Sequence, residues 1–105
     1  MGKIIQITGD ISFEELTQQR TYILYFGSES CNVCLSVYPR LADLMQDYDV
    51  PVGKLEIKDN KNITGQLLIF TVPTILVFHE GKEVLRESRF IDFKKIENLL
   101  QAIVK

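Results

Sequence analysis

Residues 21 to 26, TYILYF, form a continuous run of β-branched and aromatic side chains with no charged residue among them. A strand with one face in water alternates polar and apolar positions, so this run describes a strand buried on both faces. Such a strand needs a sheet covered by helices on either side. Gly27 closes the run, and a different pattern follows it. From Cys31 the apolar positions Cys34, Val37, Leu41, Leu44, Met45 and Tyr48 recur at intervals of three and four, which predicts an amphipathic helix starting at about Cys31. Pro39 falls inside it and removes one backbone hydrogen bond. Because the periodicity continues past that point, the helix is expected to bend there and carry on.

The flanking segments complete an alternating pattern. Residues 3 to 8 (KIIQIT) read as a short strand ended by Gly9-Asp10, and Ser12 with Glu15 has the spacing of a capping box that opens a short helix. Residues 51 to 57 (PVGKLEI) read as a third strand, followed by polar KDNKN and a short helix over Ile63 to Phe70. Residues 74 to 79 (TILVFH) give a fourth strand, Glu80-Gly81-Lys82 a hairpin turn, and residues 83 to 89 a more polar fifth strand. Asp92 caps a final helix running to Lys105, with an apolar stripe of Phe93, Ile96, Leu100 and Ile103. The early alternation implies right-handed parallel crossovers, and the late hairpin implies an antiparallel edge. The expected fold is therefore α/β: a mixed central sheet of about five strands flanked by about four helices. With no linker, repeat or low-complexity stretch, residues 1 to 105 are expected to form one domain.

Charge narrows the function. A net charge of −2, with 12 scattered basic residues, lacks the concentrated cationic surface that phosphate backbones require, so nucleic acid is not an expected partner. MGKIIQITGD holds too few apolar residues for a signal-peptide core, and no later run approaches membrane-spanning length. The expected location is the cytoplasm, away from membranes, where thiols are kept reduced.

Against that background the two cysteines stand out, three positions apart in SESCNVC. A sulfur at a helix start meets unpaired N–H groups and the positive end of the helix dipole, which favour a thiolate. A second sulfur one turn deeper lies within bridging reach. Thiol–disulfide exchange uses that asymmetry, since one thiolate attacks and the other resolves. A metal centre would need four ligands, and the chain adds only His79 on another strand, leaving a site shared between two chains as the metal alternative. Two small core residues are the third reading, which explains neither the spacing nor the strand-to-helix junction.

The segment TYILYFGSESCNVCLSVYPRLADLM resembles the thioredoxin family, with Pro39 where that family kinks its helix, and TVPTILVFHEGKEV resembles the family's cis-proline segment and hairpin. The resemblance implies a thioredoxin-like fold and a thiol–disulfide oxidoreductase, with Cys31 attacking and Cys34 resolving. It also implies that Pro73 is the cis-proline and that Val72 pairs with an extended substrate. The implied partners are protein disulfides and a separate reductase or thiol pool, with no organic cofactor or metal in the domain.

The chain departs from the family pattern at several positions. Ser30 stands where a large aromatic usually helps form the docking surface, and Gly27 where a tryptophan is common. Tyr25 replaces a buried aspartate that accepts a proton from the second thiol, and a phenol is a poor base at neutral pH. Lys54 matches the lysine that neighbours that aspartate, and without it could favour a thiolate or simply lie at the surface. Glu29 adds a charge opposing thiolate formation. These departures keep a second function open: a protein-binding or redox-sensing module with little turnover. Among the other residues, Tyr22, Tyr25, Phe26, Phe70 and Phe78 read as core or sheet-face aromatics. His79 reads as a solvated turn residue, and Lys58, Lys61, Lys82, Lys94 and Lys95 as surface positions.

Overall fold

A computed structural model describes residues 3–104, so Lys105, the expected end of the last helix, lies outside the described residues, as do Met1 and Gly2. The elements follow the order β1 (Ile4–Ile7), α1 (Asp10–Thr17), β2 (Thr21–Gly27), α2 (Cys34–Met45), β3 (Val52–Glu56), a 3-10 turn (Ile57–Asp59), α3 (Lys61–Gln66), β4 (Thr74–His79), β5 (Lys82–Ser88) and α4 (Phe93–Ile103). The five strands form one sheet in the order β1-β3-β2-β4-β5. β3 runs parallel to β1 and β2, whereas β4 is antiparallel to β2 and β5.

TYILYF lies at the centre of this sheet, and every residue from Tyr22 to Gly27 is buried. Its alternate side chains enter two cores. Ile23 and Tyr25 pack with Val37, Leu41 and Met45 of α2 and with Ile96 and Leu100 of α4. Tyr22, Leu24 and Phe26 pack on the opposite face with Leu16 of α1 and Ile63 of α3. Each fully buried aliphatic side chain contributes about 1.5–3 kcal/mol, so this double coverage explains why the run has no polar alternation.

Several expected boundaries move; α3 begins at Lys61 and not at Ile63, and β5 at Lys82 and not at residue 83. The Ser12–Glu15 capping box does not open α1. The helix starts earlier, after Gly9, whose φ of 97° is a turn conformation that suits glycine, and no side chain caps it. Ser12 Oγ instead donates to Gly9 O and accepts from the Thr8 N–H, both at 3.3 Å. The α2 ladder begins at Cys34, not at Cys31, because tight bonds from Leu35 to Asn32 O (3.2 Å) and from Ser36 to Val33 O (3.1 Å) precede it. Pro39 lies within α2, as its position in the periodic run implies. α3 stops at Gln66, short of Phe70, since Leu68 turns out of the helix with φ 57°. Asp92 caps α4 as expected, its carboxylate accepting from the Lys95 N–H at 3.2 Å.

Two side chains sit differently from their sequence reading. Phe70 is no core residue: it is 88% exposed on the loop after α3. His79 is only 16% exposed through its side chain, with Nδ1 2.7 Å from Thr21 Oγ1, so it pairs across the β2/β4 ladder and is not a freely solvated turn residue.

Candidate functional site

The central strand ends at Gly27, and the next turn is tied down locally. The Cys31 N–H donates to Ser28 O at 3.1 Å, and the Ser30 N–H to Ser28 Oγ at 3.3 Å. The Glu29 N–H donates to Glu56 Oε1 at 3.2 Å, fastening the turn to the end of β3. The Glu29 carboxylate pairs with Lys58 at 3.0 Å, a contact that also raises the lysine's pKa. The negative charge that would oppose a Cys31 thiolate therefore already has a cationic partner.

Cys31 and Cys34 form a disulfide, with Cα atoms 5.4 Å apart. The Cys34 N–H donates to Cys31 Sγ at 3.2 Å, so the sulfur takes the place that a side-chain oxygen holds at a helix N-cap. Cys34 is 6% exposed and belongs to the core cluster, whereas Cys31 is only partly buried at its margin. The two sulfurs are thus chemically unequal: one is accessible and held at a helix start, the other shielded behind it.

The second loop reaches the same end of the sheet. The Val72–Pro73 peptide bond is cis. Pro73 O accepts from the Arg89 N–H at 2.7 Å, and Thr74 Oγ1 donates to Thr71 O at 2.7 Å. An open cavity of about 590 Å³ is lined by Ser30, the neighbour of Cys31, together with Val72, Phe70, Lys58 and Lys61. Ser30 and Val72 therefore meet around one opening. Tyr25 and Lys54 lie elsewhere, lining a second cavity of about 480 Å³ with Cys34, Tyr38 and Glu56.

Tyr25 and Gly27 are a coupled choice. A Cβ on residue 27 would lie 2.9 Å from both the ring and the hydroxyl of Tyr25, so the phenol occupies the space of the missing side chain. The ring packs against Tyr38 at 5.2 Å between centroids, and Lys54 Nζ sits 4.0 Å from the Tyr38 centroid, committed to that ring face. Burial first, then the neighbouring Tyr38 and Glu56, push the Tyr25 pKa up to about 12. At neutral pH the phenol is a fixed, protonated group.

A stability change with a definite sign follows. An unfolded tyrosine loses its proton near pH 10 while folded Tyr25 holds it to about 12, so the stabilisation is complete below pH 10 and is lost as pH rises towards 12. The loss should reach about 2 kcal/mol. Urea titrations at these pH values should show a shallower alkaline decline for Tyr25→Phe than for the parent chain. Equal slopes would mean that the phenol ionises as freely as in water.

Glu56, whose carboxylate fastens the turn before Cys31, and Phe70, which lines the first opening, were not apparent as site residues. Glu56 is an ordinary strand-end acid in sequence, and Phe70 carries no mark separating it from the core aromatics. Among the described residues, no group of three or more His, Cys, Asp or Glu is placed to hold a metal ion, and no helix is long and apolar enough to cross a membrane.

Comparisons with known proteins bear on the family and the fold. A family model described as Thioredoxin matches residues 4–105. The thioredoxin-like protein YdfQ of Bacillus subtilis is 30% identical over 97 residues, covering 90% of this chain and 87% of that protein. A thioredoxin of Buchnera aphidicola subsp. Schizaphis graminum is 36% identical over 88 residues, 81% of each chain. Thioredoxin f2 of Chlamydomonas reinhardtii superposes with a TM-score of 0.80 at 26% identity over 94% of each chain. Oxidised thioredoxin O1 of Arabidopsis thaliana gives 0.85 at 22% identity, covering 98% of this chain and 99% of that one, a likeness of fold.

Proposed function

This chain belongs to the thioredoxin family and is a thiol–disulfide oxidoreductase, and from that premise we propose that Cys31 attacks protein disulfides and Cys34 resolves the product. The supporting observation is the inequality of the two sulfurs, with Cys31 accessible and accepting a helix-start N–H while Cys34 is buried one turn behind.

The reaction balances in two exchanges. The Cys31 thiolate attacks one sulfur of the substrate disulfide, forming a mixed disulfide and expelling the other substrate sulfur as a thiolate. Cys34 then gives its proton to the substrate thiolate expelled in the first exchange, or to water, and attacks Cys31 Sγ, closing the intramolecular disulfide and releasing the second substrate thiolate. Two electrons pass to the substrate, and a separate reductase or thiol pool returns them. Val72 and Pro73 shape one wall of the substrate groove and Ser30 the other. Tyr25, protonated at neutral pH, does not take the Cys34 proton; it and Lys54 support the packing behind that sulfur. We assign the activity to one domain spanning the chain, acting on cytoplasmic proteins.

Reduction of insulin by dithiothreitol tests the assignment. The wild-type protein in catalytic amounts should accelerate precipitation of the insulin B chain many-fold over dithiothreitol alone. A rate equal to the dithiothreitol control would favour the binding-module alternative, which Ser30 and Tyr25 keep in play.

A further inference from the structure

The segment from Leu67 to Pro73 carries Phe70 and Val72 to the opening beside Ser30, and its two ends are held differently. Downstream, the bonds from Arg89 N–H to Pro73 O and from Thr74 Oγ1 to Thr71 O fix the backbone locally. Upstream, the chain leaves α3 through Leu68 in a left-handed conformation, closed by backbone bonds from the Leu68 N–H to Gly65 O at 3.2 Å and from the Ile69 N–H to Thr64 O at 2.9 Å. The carbonyls exposed by that exit are both bonded by one side chain from another strand. Arg86 of β5 donates from Nη2 to Leu67 O at 2.8 Å and from Nη1 to Leu68 O at 3.1 Å.

Glu83 holds the guanidinium in turn, with Nε to Oε2 and Nη2 to Oε1 both at 2.9 Å. The shared hydrogen bond lowers the Glu83 pKa and raises that of Arg86. A planar fork can bridge two carbonyls and a carboxylate together, which a lysine ammonium cannot do in one geometry. Leu68 is 60% exposed, so water can reach its carbonyl in the absence of Arg86, whereas the bond to Leu67 O is part-buried. The clip adds a second hold, from a different strand, to a helix exit that its own backbone bonds already close, and preorganised contacts of this kind govern how tightly an extended chain is bound.

We propose that Arg86, steadied by Glu83, is a positioning residue for disulfide exchange: it fixes the loop from Leu67 to Pro73 so that Phe70 and Val72 face a substrate chain attached to Cys31. This rests on the assignment of Val72 and Pro73 to the substrate groove. Arg86 touches neither sulfur, so the chemical step itself is independent of it.

The test compares kcat and KM of the reduced proteins towards insulin and towards a small aromatic disulfide that needs no groove. Arg86→Met should raise KM for insulin roughly tenfold, about the worth of one hydrogen bond to a charged group. Its kcat should stay within about twofold, and the small disulfide should react at the wild-type rate. Arg86→Lys should recover part of the loss, and Glu83→Gln should show a smaller rise in KM. If Arg86→Met does not fold, the latter two variants carry the same comparison. An unchanged KM for insulin in folded variants, or a parallel fall with both disulfides, overturns the proposal. A wild-type protein that reduces neither disulfide strikes instead at the proposed function.

Discussion

Replacing Cys34 with serine should halt the reaction halfway, with the substrate attached to Cys31. Nothing then closes the intramolecular disulfide, and turnover should fall to the dithiothreitol-only rate. Cys31→Ser should reach the same rate by a different route, without any covalent adduct, because the remaining sulfur is 6% exposed and an external disulfide cannot reach it. Groups that act as a unit lose nearly all activity when either is removed, so the steady-state rates alone will not tell the variants apart. Non-reducing electrophoresis and intact mass will. The Cys34→Ser adduct should have the summed mass and disappear on adding dithiothreitol. An adduct on Cys31→Ser protein, or residual turnover well above background, would assign the attacking role to the wrong sulfur.

The fold was legible wherever periodicity and burial coincide. TYILYF announces a buried strand because the run is short, rich in β-branched and aromatic residues and ended by Gly27, and the spacing from Cys34 to Met45 announces the helix behind it. Asp92 was legible as a cap because its carboxylate has only to reach a backbone N–H three residues on. The equally regular Ser12–Glu15 spacing misleads, since Gly9 can take a conformation that starts the helix first. At the candidate site, the sulfur pair could be read from its spacing at a strand-to-helix junction, whereas the reading of Val72 rests on the family resemblance. The remainder depends on pairs distant in sequence or hidden by side-chain direction. Nothing in a one-dimensional pattern says that the Tyr25 ring leans over Gly27, that Arg86 reaches back to Leu67 and Leu68, or that Phe70 points to solvent while Phe78 stacks on Tyr22 at 4.9 Å.

Asn60 is a further hidden residue, and Asn60→Leu should destabilise the chain by about 2–4 kcal/mol. It lies in the polar stretch KDNKN, which reads as a solvated connection, yet it is 4% exposed. Its Oδ1 accepts from the Gly9 N–H at 3.3 Å, while Nδ2 donates to Ile7 O at 3.2 Å and to Glu56 O at 3.0 Å. One amide therefore joins the end of β1, the entry to α1 and the end of β3. Leucine has a similar volume but leaves one donor and two acceptors without their protein partner; the buried Ile7 carbonyl costs about 1–3 kcal/mol and the two part-buried groups less. Against a total stability of about 5–15 kcal/mol this loss is large, and it should lower Tm by more than about 10 °C. Asn60→Asp separates the donor role from packing. A carboxylate can still accept from Gly9 but faces two carbonyls with nothing to donate, so its penalty should be heavy at neutral pH and smaller in acid, where a protonated carboxyl can donate to one of them. Urea unfolding read at constant m-value measures both variants. A loss below about 1 kcal/mol for Asn60→Leu would mean that water replaces the amide at all three places, and that the strand ends are held by their ladders without it.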